Sequence, residues 1–108
     1  MDQEKVNEAT IAVRDLADFM ARMEMPKWSE RYRSIEQELL AGNIQGAVNL
    51  EQSIFKAGMG GLYDLYISAG NGHPTNDPDA DNKLLNQLTG RVSQSFSALR
   101  KVLKGYAK

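Results

Sequence analysis

An all-α fold, one domain over residues 1–108 built as a bundle of four to five helices with a long C-terminal helix, is predicted by three features of the sequence. Apolar residues recur at steps of three and four over most of the chain. Helix start and stop residues fall at the edges of those segments. The composition, 42% hydrophobic and 25% charged over 108 residues, is that of an ordinary globular domain with one core.

The first helix is expected over residues 3–24. Val6, Ala9, Val13, Leu16, Ala17, Met20 and Met23 share one face, and Glu4, Glu8, Arg14, Asp15, Asp18 and Arg22 take the other. Asp18 and Arg22 stand in the favourable i,i+4 order for an ion pair. Pro26 ends the pattern and can occupy the first turn of a second helix over 26–41, where Trp28, Tyr32, Ile35 and Leu39 repeat. Gly42-Asn43 is a stop signal, and Asn43 can cap a third helix over 44–56. That helix carries Ile44, Ala47, Val48, Ile54 and Phe55 on its apolar side and is weakened locally by Gly46.

Three of the nine glycines then crowd into Gly58, Gly60 and Gly61, followed by Leu62-Tyr63-Asp64-Leu65-Tyr66-Ile67. This reads as a tight corner that launches a short helix to about Ala69; a strand is the alternative, because the run has strong β composition. Residues 70–78 are a loop, and Asp77-Pro78 supplies an N-cap and first position for the last helix, over 78–105. Its stripe of Leu85, Leu88, Val92, Phe96, Leu99, Val102, Leu103 and Tyr106 is the longest periodicity in the chain, and it is expected to be the wall on which the others pack.

The absence of cysteine excludes disulfides, thiolate metal sites and cysteine nucleophiles, and fits a reducing compartment. No apolar run approaches the ~20 residues of a membrane span, and the polar Met-Asp-Gln-Glu-Lys start does not read as a secretory signal, so a cytoplasmic protein is expected. Charge is polarised. Residues 1–54 hold six Lys/Arg and ten Asp/Glu, a net of −4, while residues 55–108 hold seven and four, a net of +3. The basic end follows from cations collecting late in a last helix, and Phe96 points to the core side, so no nucleic-acid partner is expected.

The glycine corner has free N–H groups suited to an anion but lacks the Gly-Lys-Ser/Thr of a phosphate loop, and a close helix–helix turn accounts for it better. Asp77, Asp79 and Asp81 lack the glycine and distal glutamate of a calcium loop and fit a capped first turn. His73, the only histidine, has no partner in the spacing and reads as an exposed loop residue. Asp64 is either exposed or buried and paired, with Arg91 a candidate partner; Tyr63 and Tyr66 are core or interface aromatics. No catalytic group, cofactor or metal is expected.

With Gly58-Met59-Gly60-Gly61-Leu62-Tyr63-Asp64-Leu65, then Asn71-Gly72-His73, then Asn82, Leu85 and Leu88 in view, the chain resembles a loosely defined group of uncharacterised small bacterial helical proteins. Their core reads Gly-Gly-Met-Gly-Ser-Leu/Phe-Asn-Asp-Leu; here Ala57, Gly61 and Tyr63 replace its first Gly, its Ser and its Asn. The resemblance implies a compact helical fold, no established reaction, and an association with immunity proteins that neutralise toxins. The expectation is a non-enzymatic binding module with a protein partner, most concretely a cognate toxin. The acids Asp15, Asp18, Glu24, Glu30, Glu36 and Glu38 would steer it onto a basic surface, with Tyr63 and Tyr66 as further contacts. A homo-oligomeric adaptor, dimeric through its aromatics or last helix, is the alternative. A small enzyme or ligand site on the glycine corner, Asp64 and His73 is the third reading. No membrane is involved in any of them.

Overall fold

The computed structural model describes residues 2–55 and 67–106. Four α-helices occur there: α1 Gln3–Arg22, α2 Pro26–Leu40, α3 Ile44–Phe55 and α4 Pro78–Tyr106, with a 3-10 turn at Ala69–Asn71 before the last. No strand occurs among the described residues. The corner at Gly58, Gly60 and Gly61, with Asp64, Tyr63 and Tyr66, lies outside the described residues. The expected short helix does not extend through Ile67 and Ser68, which have no regular structure. Asn82 competes with such a helix, because its side chain accepts from the Ile67 N–H.

The helix ends follow local chemistry. Asp2 caps α1 by accepting hydrogen bonds from the Glu4 and Lys5 amides at 3.1 and 3.3 Å. The Lys5 amide in particular holds its carboxyl below the usual range. At the other end of α1, the Glu24 N–H donates to the Ala21 carbonyl and the Met25 N–H to the Met20 carbonyl. This is the Schellman arrangement, with Met20 and Met25 both buried as its apolar contact. Its left-handed position is held by Glu24 at φ 56°, where glycine is the usual occupant. Glu24→Gly is therefore expected to stabilise the protein by up to about 1 kcal/mol, read as a higher midpoint in urea with an unchanged slope.

The centre of the bundle is α1, not α4. The predicted face of α1 is buried throughout, and Ala12 and Phe19, seven residues apart on a second arc, are 2% and 1% exposed. Among the described residues α1 packs on both α2 and α4, while α3 packs on α2 and meets α4 less extensively. On α4, Leu85, Leu88, Val92, Phe96 and Leu99 are buried, whereas Val102 and Leu103 are only partly covered. The stripe is regular, but the bundle does not reach the last turns of α4 with the same cover. The Ser29 hydroxyl adds a buried tie, donating to the Ala17 carbonyl at 3.0 Å across the α1–α2 contact.

Candidate functional site

The α2–α3 hairpin is shaped by its turn. The Gly42 N–H donates to the Leu39 carbonyl and the Asn43 N–H to the Glu38 carbonyl, with Gly42 at φ 82°. The Asn43 side chain then caps α3, its Oδ1 accepting from the Gly46 N–H at 3.1 Å, while its Nδ2 donates to Glu38. One residue thus closes α2 and opens α3, which sets the two helices side by side. Gly46 serves this cap: a Cβ there would lie 2.5 Å from Asn43 Nδ2 and 2.8 Å from its Cγ. Gly46→Ala should therefore gain about 1 kcal/mol of helix propensity and lose about as much in capping, leaving the melting temperature nearly unchanged. In an Asn43→Ala background the same substitution should be stabilising, which a double-mutant cycle of thermal melts would show.

Between the two helices lies a groove of about 360 Å³ lined by Arg31, Ser34, Leu50, Ser53 and Ile54. Leu50 is 38% exposed there. The Arg31 guanidinium stacks over the Trp28 ring at 4.7 Å, and no carboxylate pairs with it among the described residues. Ser34 and Ser53 donate to the Glu30 and Leu50 carbonyls of their own helices, so both hydroxyl oxygens keep accepting capacity at the groove wall.

The acids expected to face a partner are mostly engaged within the bundle. Asp15 pairs with Arg91 at 3.2 Å, joining α1 to α4. Asp18 pairs with Arg33 of α2, not with Arg22 as the i,i+4 spacing predicted; Arg22 instead lies over the Phe19 ring at 5.6 Å. Glu36 takes both Arg14 and Arg33, and Glu38 holds Asn43. Glu24 and Glu30 are exposed and make no ion pair among the described residues. Arg91, a candidate partner for Asp64, is occupied by Asp15.

Glu51 is the functional-group surprise. It lies on the apolar side of α3 and is 1% exposed. Its Oε1 accepts from Arg100 Nη1 of α4 at 3.0 Å, and its Oε2 is buried without a hydrogen-bond partner among the described residues. Burial pushes the carboxyl up to about 7, against the lowering pull of Arg100. A signal existed in the sequence: Glu51 falls at i+7 from Ile44 and i+4 from Ala47, in the middle of the apolar stripe.

The loop before α4 is built on itself. Asn82 Oδ1 accepts from the Ile67 N–H at 2.7 Å, and its Nδ2 donates to the Ile67 and Pro78 carbonyls at 2.8 Å each. His73 is half-buried rather than exposed, and its Nδ1 accepts from the Ser68 N–H at 3.1 Å. That bond makes Nδ1 an acceptor and gives the ring a structural task. Asp77 caps α4 by accepting from the Ala80 N–H at 3.2 Å, and Asp81 accepts from the Thr75 hydroxyl. Among the described residues no group of three or more His, Asp or Glu side chains is placed to hold a metal ion, and no helix is long and apolar enough to cross a membrane. No family model, curated protein or solved structure matches the chain.

Proposed function

We propose that the protein is a non-enzymatic, cytoplasmic protein-binding module that docks its partner in the α2–α3 groove. The observation that carries this reading is the pairing, in one concave surface, of an exposed leucine with an arginine that has no acid of its own among the described residues. Apolar area beside an unsatisfied, pre-stacked guanidinium suits a protein partner, in which both needs are met together. Its most concrete form is an immunity protein that neutralises a toxin by occlusion, the role that the sequence resemblance implies. The ion pairs of Asp15, Asp18 and Glu36 favour the groove over the acidic α1–α2 face as the docking surface, because those charges already serve the bundle.

The test is capture from the native cell lysate on tagged protein, read by mass spectrometry at low and raised salt. One stoichiometric partner whose retention falls with salt is expected. Self-association alone, confirmed by sedimentation over a concentration series, would replace this reading with the homo-oligomeric adaptor.

A further inference from the structure

Resting on that reading, we infer that the α2–α3 groove takes an acidic segment of the partner, with a carboxylate on Arg31 and an apolar side chain over Leu50 and Ile54. The arginines of the bundle fall into two groups. Arg14, Arg33, Arg91 and Arg100 each meet a carboxylate of another helix. Arg22 and Arg31 do not, and each lies over an aromatic ring, at 5.6 Å from Phe19 and 4.7 Å from Trp28; Arg22 shares its pocket with Asp15 and Asp18, whereas the described residues lining the groove of Arg31 include no acid. A guanidinium stacked on a ring has less freedom left to lose on binding, and its planar fork matches a carboxylate with two parallel hydrogen bonds.

The α2 surface beside the groove agrees with an anion. Lys27, Arg31 and Ser34 recur at steps of four and three, so they share one stripe of α2. Lys27 likewise makes no ion pair among the described residues. Glu30 borders this stripe, three residues from Lys27 and four from Ser34, but it is not among the described residues that line the groove. The volume, about 360 Å³, is near the low end of the ~300–1,000 Å³ of ligand pockets and suits a side chain or two rather than a large cofactor. Nucleic acid fits less well. A strand needs a row of cations and open aromatic faces, and here one face of the Trp28 ring is covered by Arg31.

The experiment uses the full ¹⁵N-labelled chain and three probes: a capped peptide of alternating Glu and Leu, its Gln-for-Glu counterpart, and an oligothymidylate. The Glu peptide is expected to shift the Trp28 indole N–H, the Arg31 side-chain N–H and the amides of Leu50, Ser53 and Ile54. Arg31→Gln should weaken it about tenfold or more, and Leu50→Glu comparably, with the remaining spectrum unchanged. Equal binding of the Gln peptide, or equal perturbation by oligothymidylate, would overturn the inference, as would the absence of any shift in the groove. Lysate capture separates the two levels. A partner retained equally by wild type and Arg31→Gln would overturn the acidic segment and leave the binding module standing. Self-association alone in the capture, with the groove signals unmoved by the Glu peptide, would overturn both.

Discussion

Replacing Glu51 by Gln is expected to raise stability at pH 8 by up to about 3 kcal/mol and to change it little near pH 4.5. The folded protein holds the Glu51 proton up to about pH 7, against 4.5 for the ordinary side chain. Between those values the folded state binds more protons than the unfolded one, so wild-type stability falls as pH rises through this window. Below it both states are protonated and the term vanishes; above it the full cost of an ionised, buried carboxylate is present despite Arg100. The variant has no such slope. Urea denaturation of both proteins from pH 4.5 to 8.5 isolates the effect, because the exposed ion pairs are common to both. Parallel pH dependences in the two proteins would show that Glu51 titrates as an ordinary surface acid.

The second large effect is expected at Asn82. Its side chain makes three hydrogen bonds, two of them to the backbone of a fully buried Ile67. Asn82→Ala leaves the Ile67 N–H and carbonyl without those partners and should cost about 2–3 kcal/mol. Asn82→Asp keeps an acceptor for the N–H but sets an acceptor oxygen against both carbonyls, so it should restore little of the loss. The Ile67 amide reports the mechanism directly: its hydrogen exchange should accelerate in both variants, and more than that of Val13 or Val92 in the core. A uniform loss of protection across the bundle would point to global destabilisation instead.

The helices were legible because each carries its own period and its own punctuation. The Gly42-Asn43 stop and cap, the Asp77-Pro78 start and the buried face of α1 all follow from interactions within a few residues of the chain. What spacing along one helix cannot show is what happens between helices. Asp18 chose Arg33 across the α1–α2 contact over Arg22 on its own helix, and the acidic face became a set of cross-braces. The centrality of α1 likewise depends on Ala12 and Phe19, which form a second arc beside the predicted one. Glu51 was visible as an acid in an apolar stripe, but its partner is 49 residues away. The α2–α3 groove belongs to neither helix: it exists only once the Asn43 turn sets Arg31 opposite Leu50. Tyr63, Tyr66 and Asp64 lie outside the described residues, so the corner contributes nothing to this picture.

The central claim is that the α2–α3 groove is the docking surface, and the most direct measurement is the ¹⁵N–¹H spectrum of labelled protein titrated with its captured partner. The account predicts that signals of Arg31, Ser34, Leu50, Ser53 and Ile54 shift or broaden first, while those of Ile11 of α1 and Gln94 of α4, which line a separate hollow between those two helices, keep their positions. Perturbation centred on α1 and α4, with the groove signals unmoved, would contradict it.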